Sequence, residues 1–206
     1  MLRLAVAKGR TADAVVNLFE KAGIVFTDYA HTRKLLMRDK DKQIELILVK
    51  PIDTPIYVES GAADCGIAGL DILKENEADI YPLMRLDASK CEMILAVKEG
   101  DDITDKRFLT VATKYPRITQ EYFDKQNKEV KIIHLSGALE LAPILNMADA
   151  IVDIRQTGKT LKENGLIAIE EFMDISACFI ANKVSLKTRY AEIKTLMDKL
   201  TGGGAE

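Results

Sequence analysis

Asp153, Thr157, Gly158, Lys159 and Thr160, in the stretch DIRQTGKT (153–160), place a carboxylate beside a threonine-glycine turn. The closing Gly-Lys-Thr also ends the P-loop pattern G-x-x-x-x-G-K-[ST], whose first glycine falls where this chain has Asp153. Asp153 ends the apolar run AIVDI (150–154), and Thr157 to Thr160 open a helical pattern that continues to Gly165. A helix start offers unpaired amides and a partial positive charge, both suited to an anion. Gly158 permits close backbone approach, and the threonines offer hydroxyls that donate or cap. Amides would take a phosphate and Asp153 would accept from sugar hydroxyls, which suits a ribose 5-phosphate. A plain N-capped helix with a solvated Asp153 would use the same letters.

Basic residues recur at other strand ends. AKGR (7–10) sets Lys8 and Arg10 around Gly9, and VKPIDTP (49–55) sets Lys50 ahead of Asp53, which reads as a helix cap. Arg33 and Arg85 also fall near predicted strand ends. Facing one cleft, they would suit a heavily phosphorylated ligand; apart, each is an ordinary solvated turn. The chain has no G-x-S-x-G, H-E-x-x-H, Cys-x-x-Cys or G-x-G-x-x-G pattern. With no obvious base, reactions driven by leaving-group departure and charge stabilisation are favoured.

The elements that must hold these residues alternate. LRLAVA (2–7), IELILV (44–49), CGIA (65–68), EMILAV (92–97), LTVAT (109–113), VKIIHL (130–135), AIVDI, IAIEEF and ACFIA read as strands. Helices are expected from Thr11 to Gly23, from Asp53 to Gly61, near 116–127, near 137–146 and over 185–200. The last carries Leu186, Tyr190, Ile193, Leu196, Met197 and Leu200 on one face. Alternation of this kind predicts an α/β protein with largely parallel sheets. SGAADCGIAG and NMADAIVDI share a helix end, an Ala-Asp pair and a short buried strand. They are either two ordinary helix–strand turns or matching parts of two similar lobes, whose strand ends would then line a shared cleft.

Composition narrows the class. The chain has 206 residues, enough for one large domain or two lobes, and a net charge of −3. That balance argues against nucleic acid or a membrane surface as the main partner. Cys65, Cys91 and Cys178 are odd in number and sit in apolar runs, as small core residues of a reducing compartment do. His31 and His134 have no neighbouring ligands in sequence, so a structural zinc is not expected. No leader pattern or membrane-length apolar run is present, and a cytoplasmic location is expected.

AKGR, KPIDTPIYVESGAADCGIAGLDIL (50–73), TKYPRIT-EYF (113–123) and LELAPILNMADAIVDIRQTGKTLKENGL (139–166) together resemble the ATP phosphoribosyltransferase family, the first enzyme of histidine biosynthesis. The resemblance implies two α/β lobes of the periplasmic-binding-protein type II kind, with the substrate cleft between them. Lobe I would hold 1–91 and 180–206, and lobe II 92–179. It implies transfer of the phosphoribosyl group to N1 of ATP with release of pyrophosphate. Asp153 and Thr157, Gly158, Lys159 and Thr160 would hold phosphoribosyl pyrophosphate, with Asp153 the leading candidate in catalysis. Lys8, Gly9, Arg10, Arg33 and Lys50 would contact ATP or pyrophosphate, and Mg²⁺ would be carried mainly by substrate oxygens. The chain resembles the short form, which works with a histidyl-tRNA-synthetase-like regulatory subunit in a hetero-oligomer, and a homodimer of catalytic chains is expected. Lys50 stands where arginine is common, Asn146 where glycine is usual, and Arg155-Gln156 fills two variable loop positions unusually. A type I phosphoribosyltransferase and a non-catalytic two-lobe solute-binding protein are the alternative readings; the former usually shows two adjacent acids, and the second position here is Ile154.

Overall fold

The computed structural model describes residues 1–27, 29 and 34–201. Arg33, His31 and the glycine-rich tail lie outside the described residues. In chain order the elements are β1 (Leu2–Ala7), α1 (Arg10–Lys21), β2 (Leu36–Arg38), β3 (Ile44–Val49), α2 (Thr54–Glu59), β4 (Cys65–Gly69), α3 (Leu70–Glu75), β5 (Tyr81–Arg85) and β6 (Cys91–Lys98). Then come β7 (Phe108–Thr113), α4 (Pro116–Lys125), β8 (Glu129–His134), α5 (Leu141–Ile144), β9 (Ala150–Arg155) and α6 (Lys159–Glu163). The chain closes with β10 (Leu166–Ile175), β11 (Ala177–Ala181), α7 (Lys183–Thr188) and α8 (Tyr190–Leu200). It divides into two compact units, Met1–Ser89 with Ser176–Glu206, and Lys90–Ile175. The change-overs lie slightly before the 91/92 and 179/180 expected from sequence, because Cys91 already opens a strand of the second sheet and Ala177 one of the first.

The first unit is built on a six-stranded sheet in the order β2-β3-β1-β4-β11-β5. β1 runs parallel to β3 and β4, while β2 and β11 run antiparallel to their neighbours. Both faces are covered, which is why the central strands are apolar at successive positions. Leu4, Val6, Leu46, Ile67 and Phe179 pack with Val15 and Phe19 of α1 and Ile193 and Leu196 of α8. Ala5, Ile47, Ala68 and Ile180 pack with Val58 of α2. Gly66 admits that helix: a β-carbon there would stand 2.7 Å from Val58 Cγ2 and 2.9 Å from the Ala5 carbonyl oxygen.

The second unit has a five-stranded sheet, β10-β6-β9-β7-β8. β7, β8 and β9 are mutually parallel, and β6 is antiparallel to both β9 and β10. One core cluster joins Ile94, Ala96, Ala112 and Ile151 of the strands to Leu139, Ala142 and Leu166. On α4, Ile118, Tyr122 and Phe123 are buried, and the Tyr122 ring stacks on Phe172 at 4.0 Å between centroids.

The Ala-Asp echo is a shared structural device. In the first unit the Asp64 amide donates to the Arg3 carbonyl (2.9 Å) and its carboxylate accepts the Arg3 amide (2.8 Å). In the second, Asp149 brackets Thr110 in the same way, at 2.7 Å for each bond. Each aspartate thereby sets a strand into parallel register with its neighbour, Leu4 with Cys65 and Val111 with Ala150. The preceding helices both end in a left-handed residue, Gly61 (φ 75°) and Asn146 (φ 56°). Asparagine tolerates that backbone, so its replacement of glycine leaves the turn intact.

Several sequence expectations are corrected. The segment near 137–146 contains only the four-residue α5, because Ala138 (φ 51°) and Asn146 impose left-handed turns on either side. The 185–200 segment is two helices: Asn182 Oδ1 accepts the Val184 and Ser185 amides and starts α7 early, and the chain breaks at Arg189. Arg189 there donates to Asp64 Oδ2 (2.7 Å) and the Met1 carbonyl (2.9 Å). Tyr190 is exposed rather than on the buried face. Asp53 does not cap: it is already helical in φ/ψ, and the start of α2 instead follows a 3-10 turn, Pro51–Asp53, with no side-chain bond from Asp53. The short strands β2 and β5 were not anticipated, and the sheets are mixed rather than largely parallel.

Candidate active site

In the second unit, parallel β7, β8 and β9 bring their carboxyl ends to one edge of the sheet. Asp153 lies near the end of β9, half-buried, and its Oδ1 accepts the Ile154 amide at 2.8 Å. Thr157 and Thr160 are exposed, and Gly158 takes a left-handed turn (φ 71°, ψ 2°) before α6. A side chain at Gly158 would be strained there. The Thr157 hydroxyl stands 3.5 Å from the Lys159 amide. Lys159 points along its own helix, its ammonium 3.7 Å from Glu163 in an exposed ion pair of the kind that contributes little. The loop thus exposes threonine hydroxyls and turn amides within a few residues of a carboxylate, as required for a phosphate and sugar hydroxyls.

Sequence reasoning assigned no role to two neighbours of this loop. Thr113, fully buried at the end of β7, donates to the Val152 carbonyl (2.8 Å) and accepts the Tyr115 amide (2.9 Å). It ties the turn before α4 to the residue preceding Asp153. Thr113-x-Tyr115-Pro116, a hydroxyl three residues before a helix-opening proline, was the available signal. Arg155, read as a loop residue, is the last residue of β9, and its Nη2 donates to Glu92 Oε2 (2.6 Å) and to Glu171 Oε1. Those two hydrogen bonds, Glu92 first, hold the guanidinium pKa above its ordinary value.

The first unit gathers the cations. Lys8, Gly9 and Arg10 follow β1, Lys50 follows β3, and Arg85 ends β5; Lys8, Arg10, Lys50 and Arg85 are all exposed. The register Ala7 with Val49 puts Lys8 and Lys50 side by side, and the Lys8 amide donates to the Val49 carbonyl at 2.8 Å. Gly9 (φ 83°, ψ −144°) takes a backbone open only to glycine. Among the described residues, none of these four cations is held in an ion pair. A cavity of about 340 Å³ in this unit lies elsewhere, at the opposite end of the strands among Leu2, Asp39, Gln43, Glu192 and Lys199, and no candidate residue lines it.

This loop-and-strand arrangement has relatives. The family model for ATP phosphoribosyltransferase (HisG) matches residues 50–202, most of the chain. The chain belongs to the ATP phosphoribosyltransferase family. The enzyme of that name from Oceanobacillus iheyensis is 42% identical over 199 residues, covering 96% of each chain. That from Thermoanaerobacter sp. strain X514 is 47% identical over 205 residues, 97% of this chain and 94% of the relative. Among solved structures, the ATP phosphoribosyl transferase (HisG:HisZ) complex from Thermotoga maritima matches with a TM-score of 0.83 at 35% identity, over 98% of both chains. An ancestral arginine-binding protein bound to arginine shares the fold at 15% identity (TM-score 0.63, 98% of this chain and 93% of that one). The two-unit α/β architecture is therefore of the periplasmic-binding-protein type II kind. ATP phosphoribosyltransferases are pentosyltransferases that open histidine biosynthesis.

None of the three cysteines is in a disulfide; Cys65 and Cys178 are buried and Cys91 half-buried. Burial pushes the Cys65 thiol well above its ordinary pKa, so it is inert. Among the described residues, no group of three or more His, Cys, Asp and Glu side chains is disposed to hold a metal ion. Among the described residues, no helix is long and apolar enough to cross a membrane.

Proposed function

We propose that the 153–160 loop binds phosphoribosyl pyrophosphate and that the cationic strand ends of the first unit bind ATP and the leaving pyrophosphate. The observation that carries this reading is the left-handed Gly158 turn with exposed threonines, following a parallel strand that carries Asp153 near its end. In this reading the amides and hydroxyls of Thr157 to Thr160 hold the 5-phosphate. Asp153 accepts from the ribose hydroxyls and stands near the carbon where positive charge grows. Lys8, Arg10 and Lys50 stabilise the negative charge that grows on pyrophosphate, and Arg33 belongs with them by its place in sequence.

N1 of the adenine already has a lone pair, so no base has to generate the nucleophile. The C1–O bond to pyrophosphate breaks as N1 attacks, and positioning with electrostatics supplies most of the acceleration. Mg²⁺ supplies charge neutralisation on pyrophosphate when bound. A hard cation of this kind keeps phosphate and water oxygens as its ligands. The catalytic chain is further proposed to act in the cytoplasm, as a homodimer joined to a histidyl-tRNA-synthetase-like regulatory subunit. A partner of this kind is suggested by the Thermotoga maritima relative, whose structure is of a HisG:HisZ complex. Mixing the chain with ATP, phosphoribosyl pyrophosphate and Mg²⁺, with and without that subunit, tests the activity through adenine-ring absorbance. Ligand binding with no pyrophosphate release in either case would contradict it.

A further inference from the structure

Arg155 is a cation three residues from a proposed phosphate-binding glycine, yet its charge is turned away to carboxylates. Its Cα pairs in register with Glu92 of β6, and Glu171 comes from β10, the next strand over. Nη2 reaches both, so one guanidinium bridges three strands at the edge where the loop begins. The aliphatic stem does something else. A β-carbon built on Gly158 would stand 3.5 Å from Arg155 Cδ and 3.9 Å from Cγ, ordinary van der Waals contact. The stem therefore lines the open side of the left-handed turn, while the two glutamates fix where that stem lies. An arginine stem buries apolar contact as a hydrocarbon does, independent of its charge.

We infer that Arg155 is a positioning residue, and that the Glu92–Arg155–Glu171 bridge pre-forms the Gly158 turn for the 5-phosphate of phosphoribosyl pyrophosphate. The inference rests on the loop reading above. Glycine is otherwise free to leave the left-handed region, and each alternative conformation lowers the population able to bind. The bridge acts on binding of one substrate and touches no reacting atom.

Steady-state kinetics in the complete assay, together with thermal melting, test it. Arg155→Ala should raise KM for phosphoribosyl pyrophosphate about tenfold, with kcat and KM for ATP within about twofold. Arg155→Met keeps the stem, and Glu92→Gln removes one charged tether; each should raise that KM about threefold, and Arg155→Lys should restore part of it. If Arg155→Ala does not fold, the Met and Gln variants carry the test alone. An unchanged KM for phosphoribosyl pyrophosphate, or a loss confined to kcat, would overturn the inference. Thr157→Val separates the two readings. If it raises the same KM while the bridge variants do not, the bridge inference alone fails; if none of them moves it, the loop reading fails as well.

Discussion

Asp153 and the threonines after it take their chemistry from where β9 stops. The carboxylate is half-buried and its Oδ1 is oriented by the Ile154 amide, while Thr157 and Thr160 are open to solvent. Asp153→Asn and Thr157→Val should each lower turnover by roughly a hundredfold if the proposed contacts to the phosphoribosyl group are made. Neither touches the core, so melting temperatures should stay within a few degrees of wild type; activity within a few-fold of wild type in both would remove the loop from the site. Lys8→Ala and Arg10→Ala test the proposed contacts to the other substrate: KM for ATP should rise about tenfold, with phosphoribosyl pyrophosphate little affected. These residues were readable because turn glycines, threonines and strand-end cations are local patterns. Arg155 was not, because its partners Glu92 and Glu171 are remote in sequence and meet it only through sheet register.

At the scale of elements, paired aspartates set the strands that carry both candidate regions. Asp149 accepts the Thr110 amide and the Lys106 ammonium (2.5 Å). Burial raises its pKa, but the Lys106 and Thr110 bonds outweigh it and hold the carboxyl below its ordinary value. Stabilisation from this group is therefore present above the ordinary carboxylate range and lost as pH falls through its lowered value. Asp149→Asn should cost about 1 kcal/mol near pH 7, and the difference from wild type should shrink in acid; a pH-independent difference in urea unfolding would contradict this. Asn146→Ala should cost roughly 1 kcal/mol by the same measurement, while Asn146→Gly should be neutral or slightly stabilising. Central strands such as β1, β3 and β9 were legible because burial on both faces writes continuous apolar runs. β5 was not: Tyr81, Pro82 and Arg85 are exposed at the sheet edge, so its residues carry no buried period. The break at Arg189 escaped because helical periodicity continues across it, and long-range bonds to Asp64 and the Met1 carbonyl mark the interruption.

For the whole molecule, net charge and local charge tell different stories. The chain carries −3 overall, yet Lys8, Arg10, Lys50 and Arg85 gather at strand ends of one unit without ion-pair partners among the described residues. Exposed charges of this kind are screened over roughly 10 Å at 0.1 M salt. Raising salt from about 0.05 to 0.5 M should therefore increase KM for ATP several-fold while leaving the melting temperature nearly unchanged; salt-independent KM would argue that these cations do not meet a polyphosphate. The central claim is that the 153–160 loop holds phosphoribosyl pyrophosphate, and calorimetric titration of that ligand with Mg²⁺ into wild type and Thr157→Val tests it most directly. The dissociation constant should be raised at least about tenfold in the variant, with ATP affinity unchanged. Equal affinity of the two proteins for phosphoribosyl pyrophosphate would contradict it.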